Sequence, residues 1–117
     1  MGMRLGDLVS RLTIDRRKLI AYALDPDSPK GQHKAILFQR RLGYTLDNYE
    51  SLVEQIEQLV MDGEAIATKA DGYGQRYYVD LSIVGVNGEQ AIVRTAWIVE
   101  PDALNCARLI SLYVRNS

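Results

Sequence analysis

The sequence has one cysteine, one histidine, one tryptophan and one phenylalanine in 117 residues, with three prolines. A lone Cys106 excludes an internal disulfide framework, and beside a lone histidine it argues against a Cys/His zinc site; no metal and no cofactor are expected. No apolar run approaches the roughly 18 residues of a membrane span, and the first residues lack the apolar stretch of a signal peptide. The expectation is a cytoplasmic protein with no membrane contact. Net charge is −1, so no overall field draws the chain towards nucleic acid, and any such contact must rest on a local cluster. The nucleophile elbow, the Walker loop and the Rossmann glycine pattern are all missing. Asp71-Gly72-Tyr73-Gly74 reads as turn chemistry, because no helix follows it to receive a phosphate.

What is present is ordinary for a globular chain, 47% hydrophobic and 25% charged, and the length fits a single domain over residues 1–117. Leu5, Leu8, Val9 and Leu12 form a short helical stripe, and Asp15 is placed to cap a helix running to Leu24. Ser28-Pro29 opens the next helix, which ends at Leu42-Gly43. Asp47 to Glu50 has the spacing of a capping box before a helix with Leu52, Ile56, Leu59 and Val60 inward. From Ala65 the period becomes 2, with strands at 65–70, 75–86, 89–99 and 107–115. The expected fold class is α+β: about three N-terminal helices packed on one face of a roughly four-stranded antiparallel meander sheet. Reading Asn87-Gly88 as a two-residue turn sets Val86 opposite Glu89, Tyr78 opposite Trp97 and Asp80 opposite Thr95. In that register Arg94 falls on the apolar face opposite Leu81, unless a bulge turns it.

His33 carries the one imidazole, the side chain that ordinarily titrates near neutral pH and so serves as general acid or base. Lys30 and Lys34 stand beside it in the first turns of a helix, where backbone N–H groups also favour anions. The competing reading is a surface histidine among solvated lysines. Arg94 next to an apolar face needs a partner, either Asp80 or Glu100 structurally, or an anionic ligand. Arg76 lies at a strand end. Tyr78 and Trp97 form either a base-stacking platform or a cross-strand aromatic pair, and Thr95 and Ser111 are candidate hydroxyl ligands.

Four stretches taken together resemble a family of small bacterial proteins of unknown function, found alone and as terminal domains of larger secreted or phage-borne proteins. They are Lys18-Leu19-x-x-Tyr22-x-Leu24, Asp25-Pro26-Asp27-x-Pro29-Lys30-Gly31-x-His33-Lys34-Ala35 with Phe38, Tyr73-Gly74-Gln75-Arg76-Tyr77, and Val93-Arg94-Thr95-Ala96-Trp97. The likeness covers roughly residues 12 to 115. The order of helices then sheet is also similar to that of the barnase, EndoU, colicin D and RelE-type ribonucleases. That second resemblance implies a toxin-like enzyme that cleaves RNA without a metal ion. His33 would move a proton, Lys34 and Arg94 would stabilise the phosphorane, Thr95 would orient the phosphate and Trp97 would stack a base, with Lys30, Arg76, Tyr78 and Ser111 as binding residues. An immunity or antitoxin protein is the implied partner. Two alternatives stand beside it: a non-catalytic module binding a protein or ligand through the open sheet face, and a homodimer burying Trp97, Tyr78 and Tyr113.

Overall fold

A computed structural model describes residues 2–17, 21–27 and 32–115. The chain runs β1 (Met3–Arg4), α1 (Leu5–Leu8), β2 (Arg11–Thr13), α2 (Ala21–Leu24), α3 (Gln32–Leu42) and α4 (Glu50–Leu59). A 3₁₀ turn (Val60–Asp62) then leads into β3 (Glu64–Asp71), β4 (Gly74–Val84), β5 (Gln90–Val99) and β6 (Cys106–Val114).

The four-stranded antiparallel meander under a layer of helices is not what forms. The sheet has six strands in the order β1-β3-β4-β5-β6-β2, it is mixed because β2 runs parallel to β6, and it curls into a half-barrel. Among the described residues only α3 and α4 exceed one turn, and strands dominate. Both edge strands come from the N-terminal segment that reads as one helical stripe. Met3–Arg4 pairs with Glu64–Ala65 at one edge, and Arg11–Thr13 pairs with Cys106–Arg108 at the other. Between them α1 crosses the core, with Leu5 and Val9 buried and the Leu5 N–H held by the Gly63 carbonyl at 3.0 Å. The Asn105 carbonyl, accepting from Ser10 and Arg11 N–H at 3.2 and 3.1 Å, fixes the start of β2. Strands of two or three residues are too short to print a period, which is why the stripe misleads.

The Asn87-Gly88 turn is also different. Among the described residues only glycines have positive φ, so Asn87 cannot take the left-handed conformation that a type I′ turn needs at both central positions. Gly88 alone does, at φ 84°, and the loop closes between Gly85 N–H and Glu89 C=O at 2.8 Å. The extra loop residue is held by α3: Val86 N–H bonds the Leu42 carbonyl at 2.9 Å, and a Cβ on Gly85 would strike that carbonyl. One added residue slips the register by one, so Val84 faces Gln90, Asp80 faces Arg94 and Tyr77 faces Trp97. Each side chain of β5 therefore lies opposite a different β4 partner than the two-residue turn implies.

The buried face of the sheet carries Val79, Leu81 and Ile83 of β4 with Ala91, Val93, Thr95 and Trp97 of β5. Phe38 and Leu42 of α3 and Leu52, Val53 and Ile56 of α4 close over it. The capping box at Asp47 does not form. Asn48 Oδ1 instead accepts Thr45 N–H at 2.8 Å, and Tyr49 stands at the start of α4 without a side-chain cap. Beyond Tyr78, β4 has no pairing with β3. Gln55 covers part of that edge with its amide, accepting Val84 N–H and donating to Val84 C=O, both at 2.8 Å. Among the described residues no helix is long and apolar enough to cross a membrane. The helix start at Ser28-Pro29 and residues 18–20 of the helix expected from Asp15 to Leu24 lie outside the described residues, while the end of that helix is α2, with Ala23 and Leu24 buried.

Candidate functional site

Alternation puts Tyr78 and Asp80 of β4, Arg94 of β5 and Ser111 and Tyr113 of β6 on the face turned away from the core. There Asp80 is the hub. Arg94 Nε and Nη2 donate to Asp80 Oδ1 and Oδ2 at 2.8 and 3.0 Å, and Arg115 Nη1 donates to Oδ2 at 3.0 Å. The Arg94 guanidinium lies 4.6 Å from the centre of the Tyr78 ring. Lys34 reaches in from α3, its Nζ 3.4 Å from Ser111 Oγ and 5.6 Å from the centre of the Tyr113 ring. It can do so because β2 covers β6 only from Cys106 to Arg108, leaving the rest of that edge to α3. Tyr78, Arg94, Tyr113 and Lys34 thus form a row alternating ring and cation across two strands, a third strand and a helix.

The charges are set by contact. The hydrogen bonds from Arg94, joined by those from Arg115, hold the Asp80 carboxyl below its ordinary value of 3.8 against the opposing effect of burial. Asp80 in turn, by hydrogen bonding, raises the guanidinium of Arg94 further above its ordinary range, with Tyr113 adding to the effect. A carboxylate with a depressed folded-state value stabilises the fold above the unfolded value, and this contribution fades as pH falls through the folded one. The stability advantage of the natural protein over Asp80→Asn is therefore expected to be full at pH 6 and to shrink from about pH 4 downwards. Urea melts of both proteins across that range measure it. An advantage that grows on acidification contradicts the depressed value.

The expected site residues divide into four groups. Arg94, Tyr78, Ser111 and Lys34 share the outer face, and His33, exposed, precedes Lys34 in the first turn of α3. Thr95 and Trp97 do not join them, because both are fully buried on the core face. Thr95 Oγ1 donates to the Val79 carbonyl at 2.7 Å and accepts the Trp97 indole N–H at 2.7 Å, so each is occupied structurally. Tyr78 has Ala96, not Trp97, opposite it. Arg76 pairs with Asp71 at 3.1 Å near the β3–β4 turn. The Asp71 carboxyl is held low first by the Tyr73 N–H, with burial opposing and Arg76 adding to the lowering. Lys30 lies outside the described residues. Asp80, one of the two structural partners expected for Arg94, is the one it takes, and Tyr113 and Arg115 complete the cluster. A concavity of about 420 Å³ at the other end of β4, lined by Leu8, Tyr77, Val99, Pro101 and Leu104 among others, shares no residue with the cluster. The candidate site is an open sheet face, suited to an extended ligand.

Fold and site define a small strand-rich domain with a cation–aromatic row on its open face. The chain belongs to a family described as a domain of unknown function, DUF6883, which matches residues 4–116. No curated protein matches it. Among solved structures it is similar to a chain of the contact-dependent growth inhibition toxin–immunity protein complex from Klebsiella pneumoniae 342. The identity is 20%, the TM-score is 0.70, and the match covers 90% of this chain and 94% of that one. At that identity the likeness is one of fold.

Proposed function

We propose that this domain is a toxin-like ribonuclease that works on the outer sheet face without a metal ion. The observation that carries the reading is the Tyr78–Arg94–Tyr113–Lys34 row, with two of its neighbouring cations, Arg94 and Arg115, on one carboxylate, Asp80, and Lys34 beside Tyr113. Rings offer π-faces to unpaired bases and cations offer charge to the backbone between them, the pairing of groups that single-stranded RNA requires. The similarity in fold to a chain of a toxin–immunity complex supports the toxin-like part.

The chemistry follows from the groups. The 2′-oxygen of a ribose attacks the adjacent phosphorus as the His33 imidazole takes its proton. Lys34 and Arg94 hold the non-bridging oxygens while negative charge builds on them. The P–O5′ bond breaks, the departing oxygen takes a proton from solvent, and the products end in a 2′,3′-cyclic phosphate and a 5′-hydroxyl. Such an activity calls for an immunity or antitoxin protein in the producing cell, and places the reaction where RNA is, in the cytoplasm. A second reading, a non-catalytic module using the same face for a protein or ligand, draws on the Asp80 clamp, which occupies Nε and Nη2 of Arg94. Incubating the purified domain with a mixed-sequence RNA oligonucleotide in excess chelator separates the two. Cyclic-phosphate and 5′-hydroxyl ends are the expected products; intact RNA retires the enzyme and leaves the binding module.

A further inference from the structure

We infer that Asp80 is the positioning residue of this face: it gives up RNA affinity to hold Arg94 in one orientation. The inference rests on the ribonuclease reading for what Arg94 does, but the geometry stands apart from it. A carboxylate in the middle of a phosphate-binding surface opposes its ligand, so its presence needs a reason. Here one carboxylate takes two parallel bonds from Arg94, which fix the guanidinium in plane, while a third donor from Arg115 keeps the carboxylate itself from rotating. The Tyr78 ring closes one face of that plane. Tyr113 is a further hydrogen-bonding partner of the same guanidinium, so groups from β4 and β6 both orient it. Arg94 and Asp80 side chains are 19% and 25% exposed, so the clamp is shielded without being closed off from a ligand. A flexible arginine left alone would reach phosphate in many orientations; a clamped one presents one donor edge, which favours the transition state over mere binding.

The test uses the whole chain and two variants. Binding is measured by anisotropy with a single-stranded RNA carrying 2′-O-methyl riboses, which cannot be cleaved, over a salt series. Turnover is measured on the unmodified oligonucleotide. Asp80→Asn removes one negative charge and frees two arginines. It is expected to bind roughly 3–10-fold tighter, with a salt slope steeper by about 1, while kcat falls roughly 10–100-fold. Asp80→Glu restores the charge but lengthens the arm, so it returns Kd to the natural value and leaves kcat low. Weaker binding by Asp80→Asn together with lower kcat, or full turnover by Asp80→Glu, overturns the inference. Complete loss of turnover with the acid limb of the pH profile also overturns it, because Asp80 would then be the base. If the natural protein cleaves nothing, the ribonuclease reading falls. The Kd and salt-slope comparison still decides whether Asp80 restrains the cations, and Asp80→Glu carries the test should Asp80→Asn fail to fold.

Discussion

His33→Ala is expected to lower RNA cleavage by about 10²–10⁴-fold, the usual worth of a positioned proton-transfer group. Its melting behaviour should stay within about 0.5 kcal/mol of the natural protein, since the imidazole is exposed and the residues that bury α3 are Ala35, Phe38 and Leu42. Lys34→Met gives a different signature. The ammonium sits by the Ser111 hydroxyl and the Tyr113 ring, where its proposed part is to hold a phosphate oxygen whose negative charge grows in the transition state. Its loss should reduce kcat by about 10²–10³-fold and shift KM less. Steady-state kinetics of both variants on one RNA oligonucleotide, read beside thermal melts, check this. If His33→Ala cleaves as fast as the natural protein, the imidazole has no part in the chemistry and the base must be sought among Asp80 and Tyr113.

The contrast between what the sequence states and what it conceals follows physical lines. The end of α3 at Leu42 is legible because Gly43 is placed to take φ 75°, and the chain turns there with Tyr44 N–H on the Phe38 carbonyl. Lys34 and His33 are legible because they stand together on that helix. Arg94 is legible as a problem, a guanidinium with no place on an apolar face, and the one-residue slip resolves it by setting Asp80 opposite. The slip itself is not legible, because it depends on Val86 N–H finding the Leu42 carbonyl, a contact between segments more than forty residues apart. Thr95 and Trp97 follow the same error: the wrong register brings them outward to the ligand face, and the right one sends both into the core. The parallel β2–β6 pairing is equally non-local, since nothing in Arg11–Thr13 alone distinguishes it from the end of a helix.

The burial of Trp97 takes it out of the two-fold interface expected to hold it with Tyr78 and Tyr113, which stay on the outer face. A tryptophan on an exposed sheet face can be truncated without unfolding the subunit, and the result is loss of association. Trp97 is 0% exposed within one chain, with its indole N–H bound to Thr95 Oγ1 and that hydroxyl bound to the Val79 carbonyl. Trp97→Ala therefore empties a core site towards the end of β5, where Leu109 of β6 and Tyr77 of β4 stand opposite. The expected destabilisation is about 3–5 kcal/mol, which in a domain of this size lowers the melting temperature by about 12–40 °C. Trp97→Phe keeps much of the ring and gives up the indole hydrogen bond, leaving Thr95 Oγ1 still bound to Val79, so it should lose about 1–2 kcal/mol. Differential scanning calorimetry orders the three proteins, and light scattering on the same samples reads their mass. A Trp97→Ala protein that melts with the natural one but halves in mass would move the indole out of the core and onto a two-fold interface.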